Sequence, residues 1–186
     1  MGVDPDGVRR DGGGGAAGAS AGGPGAEGAS EQPVFGPIVV GVDVSPTSRE
    51  ALVWAAQEAE LRGCELVAVY GWQVSTEPRP AGVGIGVTPP LDEYQRCASE
   101  KVERIVAETL GPGRPRPPAR LSVRAVHRTP GRALIDESKN ADLLVLGSKG
   151  HGRLAAWLLG SIREEAMQRA PCSVVIVRQR PGDQRG

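Results

Sequence analysis

The residues best suited to chemistry lie in one stretch, "GSKGHGRLAAWLLGSI", Gly147 to Ile162. It holds four glycines, a lysine, an arginine and a histidine, and it follows the apolar run "ADLLVL". Gly147 and Gly150 can take up positive φ and let backbone approach a ligand without a Cβ in the way. Gly160 and Ser161 then open a helix, "SIREEAMQRA". The free N–H groups and the positive dipole end at such a start favour an anion, above all a phosphate. The Ser161 hydroxyl is placed to donate to a phosphate oxygen, or to cap the helix, since Ser161 and Glu164 form a capping box. Lys149 and Arg153 are the candidates for neutralising phosphate charge, with His151 behind them. Arg163 could add a charge-assisted hydrogen bond or pair with an acidic neighbour. Glu164 and Glu165 suit the helix dipole but repel a phosphate.

Two other strand ends stand out. "PIVVGVD" ends at Asp43, and "CELVAVYGW" ends at Tyr70-Gly71-Trp72. Elsewhere the signals are weaker. Cys64, Cys97 and Cys172 form neither a CxxC pair nor a Cys/His ligand set, and read as reduced thiols without a role. His127 closes a strand and reads as structural. Trp157 and its neighbouring leucines read as pinning the glycine loop to the protein or to a partner. No Ser/His/Asp or Cys/His constellation is legible.

The elements that must position these residues alternate along the chain. "PIVVGVD" is an apolar run without in/out alternation, as expected of a strand covered on both faces. "SPTSREALVWAAQEAELRG" is a helix with Ser45 as N-cap and Pro46 in the first turn. Thr47 and Glu50 offer a capping box in another register. Leu52, Ala55, Ala56 and Ala59 share its apolar face, and Gly63 ends it. A second strand, Cys64 to Trp72, leads to a loop rich in proline and glycine. A helix follows, with Tyr94, Ala98, Val102, Ile105 and Leu110 as its stripe. "ARLSVRAVH" alternates with period two, Leu121, Val123, Ala125 and His127 pointing one way, which marks an edge strand. "TPGRALIDESKN" is a short helix capped by Thr129, "ADLLVLG" a fourth strand, and "CSVVIVR" a fifth. Strand–helix alternation throughout means a parallel α/β sheet with helices on both faces, with ligands outside the carboxyl ends of the strands.

The chain has 186 residues, with 22 basic and 22 acidic side chains. That length suffices for one domain with a real core. The charge balance gives no reason to expect a nucleic acid or membrane surface as partner. Residues 1–33 are dominated by Gly, Ala, Ser, Asp and Glu, and read as a disordered tail. The domain is expected over 34–179, with a polar tail at 180–186. No apolar run is long enough to cross a bilayer, and the N-terminus lacks the apolar stretch of a signal peptide, so a cytoplasmic location is expected.

The spacing Gly147, two residues, Gly150, nine residues, Gly160, Ser161 resembles the ATP-binding motif of the universal stress protein family. "IVVGVDVSPTSREAL" resembles the family's first strand and helix, and "ADLLVLGSKGHGRLAAWLLGSI" and "APCSVVIV" resemble its C-terminal half. The resemblance covers Phe35 to Arg178. It implies a Rossmann-like, open five-stranded parallel sheet in the order 3-2-1-4-5. It also implies binding of ATP or a related adenine nucleotide, with a regulatory role in stress, dormancy or growth arrest, an unidentified protein partner, and a homodimer formed through the last strand. By the same resemblance Asp43 meets the nucleoside and the backbone near Gly71 meets the adenine. Gly147 and Gly150 approach the ribose and phosphates, and Gly160, Ser161 and Ile162 cradle the phosphates. Val44 departs from the glycine common in the family, and Arg163 from a small Ser or Thr. Two alternatives stand beside this reading. One is a slow ATPase or phosphotransfer enzyme, with Asp43 supporting Mg2+. The other is a dimeric scaffold that ignores nucleotide.

Overall fold

The structure, a computed structural model, describes residues 35–81, 86–112, 117–148 and 155–178, with backbone alone at 155–161. Its elements are β1 (Ile38–Gly41), α1 (Pro46–Arg62), β2 (Leu66–Trp72), α2 (Leu91–Leu110), β3 (Leu121–His127), α3 (Pro130–Glu137), a 3-10 turn (Ser138–Asn140), β4 (Leu143–Gly147), α4 (Ala155–Arg169) and β5 (Ser173–Val177). The five strands form one sheet in the order β3-β2-β1-β4-β5, every pairing parallel. The expected sheet and strand order are therefore the observed ones. The chain turns from building outward on one side of β1 to building on the other, so β1 and β4 leave a crevice beyond their carboxyl ends.

The β1 run is apolar without alternation because both of its faces are covered. Ile38, Val40 and Val42 face α1 and α2 together with Leu52, Ala55, Ala56, Ala59, Val102 and Ile105. Val39 faces α3 and α4 with Ala133, Leu134, Leu144 and Ala166. β3 lies at the edge, as its alternation predicts, and Leu121, Val123 and Ala125 pack only partly buried on the α1–α2 side. The α2 stripe of Tyr94, Ala98, Val102, Ile105 and Leu110 is buried in full.

Of the two registers open for the start of α1, the Ser45 one is realised. The Ser45 side chain accepts the Ser48 N–H at 3.2 Å, and Pro46 occupies the first turn. At the other end Gly63 sits at φ 64°, in the left-handed region that closes helices at little cost for glycine. Thr129 stands at the N-cap position of α3 but makes no side-chain capping bond.

α4 departs from expectation. Instead of opening at Gly160-Ser161 it begins at Ala155. "AAWLL" is a run of good helix formers, and a glycine in a helix interior costs only about 1 kcal/mol relative to alanine. That is too little to stop propagation once a turn exists. Gly-Ser reads as a start signal in isolation, and the five residues before it override that signal.

Candidate functional site

At the end of β1 a compact hydrogen-bonded turn fixes Asp43. Its Oδ1 accepts from the Ser45 N–H at 2.9 Å and from the Ser45 hydroxyl at 2.5 Å. Its N–H donates to Ser48 Oγ at 2.8 Å, and that hydroxyl donates in turn to the Gly41 carbonyl at 3.3 Å. Ser45, Thr47 and Ser48 are buried, so the turn is locked beneath the α1 N-terminus. The side chain of Asp43 is thus held by one carboxylate oxygen. Among the described residues Oδ2 has no hydrogen-bond partner, which leaves an acceptor at the head of the crevice.

β2 lies beside this turn. The Val69 carbonyl accepts from the Val42 N–H at 2.8 Å and so faces β1. Two residues on, the backbone of Gly71 faces the same way, past the point where β1 has ended at Gly41. The α-carbon of Gly71 is pressed against α3: a Cβ there would lie 2.5 Å from Pro130 Cα and 3.1 Å from Ala133 Cβ. Gly71 therefore serves packing with its α-carbon while its peptide groups are aimed into the crevice.

Gly147, the last residue of β4, corrects one expectation. It does not adopt positive φ; among the described glycines only Gly63 and Gly86 do. Its bare α-carbon faces the first turn of α1, where a Cβ would lie 2.8 Å from the Thr47 carbonyl carbon and oxygen and 2.9 Å from the Ser48 nitrogen. The glycine is needed so that β4 and the start of α1 can meet, which places the Asp43 turn against the end of β4. Ser148 continues the strand by donating its N–H to the Val177 carbonyl at 2.8 Å.

The remaining expected residues divide three ways. Lys149, Gly150, His151 and Arg153 lie outside the described residues. Gly160 and Ser161 lie inside α4, which begins at Ala155. Ile162 also lies inside α4 and packs its side chain, half-buried, on the α3–α4 side of the sheet.

Sequence reasoning missed one polar group beside the crevice. Tyr70 of β2 donates its hydroxyl to Glu77 of the β2–α2 segment, and Lys101 of α2 donates to Tyr70 Oη at 2.6 Å and to both Glu77 oxygens at 3.2 Å. Burial and the carboxylates of Glu77 and Asp43 push the Tyr70 phenol far above its ordinary pKa. The three residues lie 7 and 24 positions apart from Glu77, in three different elements, so no local spacing announces them. His127, read as structural, is exposed and stacks on buried Trp72 with ring centroids 4.4 Å apart. Cys64 and Cys172 are thiols whose pKa is raised by burial, in keeping with idle reduced cysteines. Among the described residues no three His, Cys, Asp or Glu side chains converge as a metal site would require, and no helix is long and apolar enough to cross a membrane.

Known proteins agree with this architecture. The family model described as "Universal stress protein family" matches residues 35–178. A universal stress protein of Mycobacterium tuberculosis is 34% identical over 148 residues, covering 79% of this chain and 47% of its own length. One from Thermus aquaticus is 30% identical over 148 residues, covering 78% of this chain and 100% of its own. The chain spans about half the length of the mycobacterial relatives it matches. Among solved structures, a universal stress protein in complex with cAMP superposes with a TM-score of 0.52 at 23% identity, covering 78% of this chain and 98% of that one. UspA from Lactobacillus plantarum superposes with a TM-score of 0.52 at 24% identity, covering 77% and 98%. With the family model matching residues 35–178 and a relative 30% identical over its entire length, this chain belongs to the universal stress protein family.

Proposed function

We propose that the chain binds an adenine nucleotide, ATP or a relative of it, in the crevice beyond β1 and β4, and that occupancy of this site is its regulatory signal in a stress or dormancy response. The observation that carries the reading is the Asp43 turn. It presents one carboxylate oxygen beside the outward-facing peptide groups of Gly71, at the place where the strand order reverses. A carboxylate there suits a ribose hydroxyl, and peptide N–H and C=O groups suit the edge of a purine. The relative solved with cAMP supports the same ligand class. The phosphates then run toward the start of α4, whose helix dipole favours them, and Gly150 and Arg153 belong to this reading as residues for the phosphates. Gly160, Ser161 and Ile162 contribute their amides if the Ala155–Leu159 segment gives up its helical hydrogen bonds. Mg2+ enters this reading with the triphosphate, whose oxygens are its preferred ligands. A homodimer through β5 belongs to the same proposal, since that strand stands at the sheet edge with Ser173 exposed and Val174 to Val177 only half-buried.

The test is to denature freshly purified protein, identify released nucleotide by mass spectrometry, and titrate the stripped protein with ATP by calorimetry. Co-purified or added adenine nucleotide bound at about one per chain supports the proposal. A blank in both measurements overturns it. Light scattering on the same sample reads the dimer, and a monomer mass at every concentration overturns that part alone.

A further inference from the structure

The charge of the chain balances overall but not locally. From Thr109 to Ile135 there is no acidic residue and there are six arginines, which offset an equal acidic excess in the rest of the sequence. Arg124 of this run lies in β3, Arg128 just beyond it and Arg132 in α3, and all three are exposed. Their charge is only partly neutralised. Arg124 pairs with Glu137 of α3. Lys139 and Arg128 lie 2.9 and 3.6 Å from Asp136. The hydrogen bond from Lys139, with the charges of Lys139, Arg128 and Arg132, holds the Asp136 carboxyl below its ordinary pKa, so one carboxylate serves three cations.

The strand beside this patch is an edge of the sheet. The Arg120 carbonyl accepts the Leu66 N–H at 2.9 Å, so alternate residues from there on, Ser122 and Arg124, turn their peptide groups toward β2. Leu121, Val123 and Ala125 turn theirs to the open side. The Ala125 carbonyl is closed there by Gln95 Nε2, which donates to it at 3.0 Å. Among the described residues no hydrogen bond closes the outward groups of Leu121 and Val123. The side chains of Leu121, Val123 and Ala125 lie half-buried on the α1–α2 side of the sheet, and that of Arg124 lies on the α3 side. The open edge thus has an apolar flank and a cationic flank.

We infer that the open edge of β3, with Arg124, Arg128 and Arg132 beside it, is a docking site for an extended acidic segment of a protein partner, which alternates carboxylate with apolar side chains and adds to the sheet as a further strand. Backbone pairing supplies affinity in such an addition, and the side chains on the two flanks supply specificity. Alternation follows from the period of two: every second side chain of the incoming strand falls on the cationic flank and the others on the apolar one. A nucleic acid or an anionic membrane supplies charge for the arginines but nothing for the peptide edge. This docking site stands or falls separately from the nucleotide crevice.

The experiment measures fluorescence anisotropy of a fluorescein-labelled peptide of repeating Glu-Val units with the full chain. Beside it are run a peptide of the same composition with all glutamates before all valines, and two forms of the repeating peptide N-methylated on the glutamates or on the valines. The expected result is binding of the repeating peptide, at least about tenfold weaker binding of the block peptide, and loss of binding for one of the two methylated forms, the one whose amides face β3. The double substitution Arg128→Glu with Arg132→Glu, its fold checked by circular dichroism, is expected to weaken the repeating peptide by about tenfold. The methylated peptides decide the matter without any change to the protein if that variant fails to fold. No binding of the repeating peptide overturns the assignment. Equal binding of the block and both methylated forms overturns it too, because charge alone then suffices. Tighter binding of single-stranded DNA, or of phosphatidylserine vesicles, with the same arginine dependence gives the patch to phosphate groups and overturns the peptide site.

Discussion

At the scale of single residues, the carboxylate of Asp43 has two duties on two oxygens. Oδ1 holds the turn through Ser45, and under the proposed function Oδ2 is the oxygen offered to the nucleotide. Asp43→Asn keeps an oxygen to accept from Ser45 and removes the charge. It is expected to leave the melting temperature within a few degrees while weakening ATP binding by about tenfold, since hydrogen bonds to charged groups contribute about 1.5–3 kcal/mol. Melting and calorimetry on one preparation check both halves. Gly147 makes the opposite prediction. Its missing side chain serves the contact with Thr47 and Ser48 backbone, so Gly147→Ala is expected to destabilise by about 1–3 kcal/mol with or without nucleotide, read by urea unfolding. Tyr70 gives a prediction in pH. Its phenol is raised in the folded state, so its contribution to stability is complete below the ordinary tyrosine pKa of about 10 and is lost as pH climbs beyond it. An absorbance titration of tyrosinate is expected to show Tyr70 silent through that range until the chain unfolds; ionisation at an ordinary pKa in folded protein would contradict the part-buried hydrogen bond to Glu77.

At the scale of elements, α4 holds the main tension. Its described span puts Gly160 in the helix interior, whereas a phosphate cradle at Gly160 and Ser161 needs those amides unpaired. The two demands make Gly160→Ala informative. Alanine favours the long helix by up to about 1 kcal/mol, so the free protein is expected to melt slightly higher while ATP binds more weakly. Thermal unfolding and calorimetry give the two signs; a lower melting temperature would mean that the free helix starts at Ser161 after all. α1 shows the contrasting case. Ser45 caps it and also grips Asp43, so helix start and site are a single hydrogen-bonded unit that needs no rearrangement.

At the scale of the molecule, the sheet is the rigid part. Its central strands β1 and β4 are covered on both sides by helices, and Ile38, Val40, Leu144 and Val145 have no exposed surface at all. The crevice is thus set by the best-packed portion of the chain, while the pieces that complete it come from connections. Residues 1–33 lack the apolar side chains to add to that core, and their removal is expected to move the melting temperature by less than about 2 °C, measured by calorimetric scanning. A larger drop would show that the segment contributes to the fold.

A parallel sheet with helices on both faces was legible in the residues, and its strand order was expected from the family resemblance. Unbroken apolar runs at β1, β2 and β4 require cover on both faces, helices alternate with them, and the period-two pattern of Leu121, Val123 and Ala125 marks the edge. Ser45-Pro46 and Gly63 bounded α1 because caps are local chemistry, readable from neighbours in the chain. Tertiary structure alone decided why Gly71 and Gly147 are glycines, since the atoms they must avoid belong to α3 and α1. It also decided that Tyr70, Glu77 and Lys101 are one group. Spacing reveals contacts made within one turn of helix or along one strand. Contacts between elements depend on how the sheet is wound, and no stretch of this sequence contains that information alone.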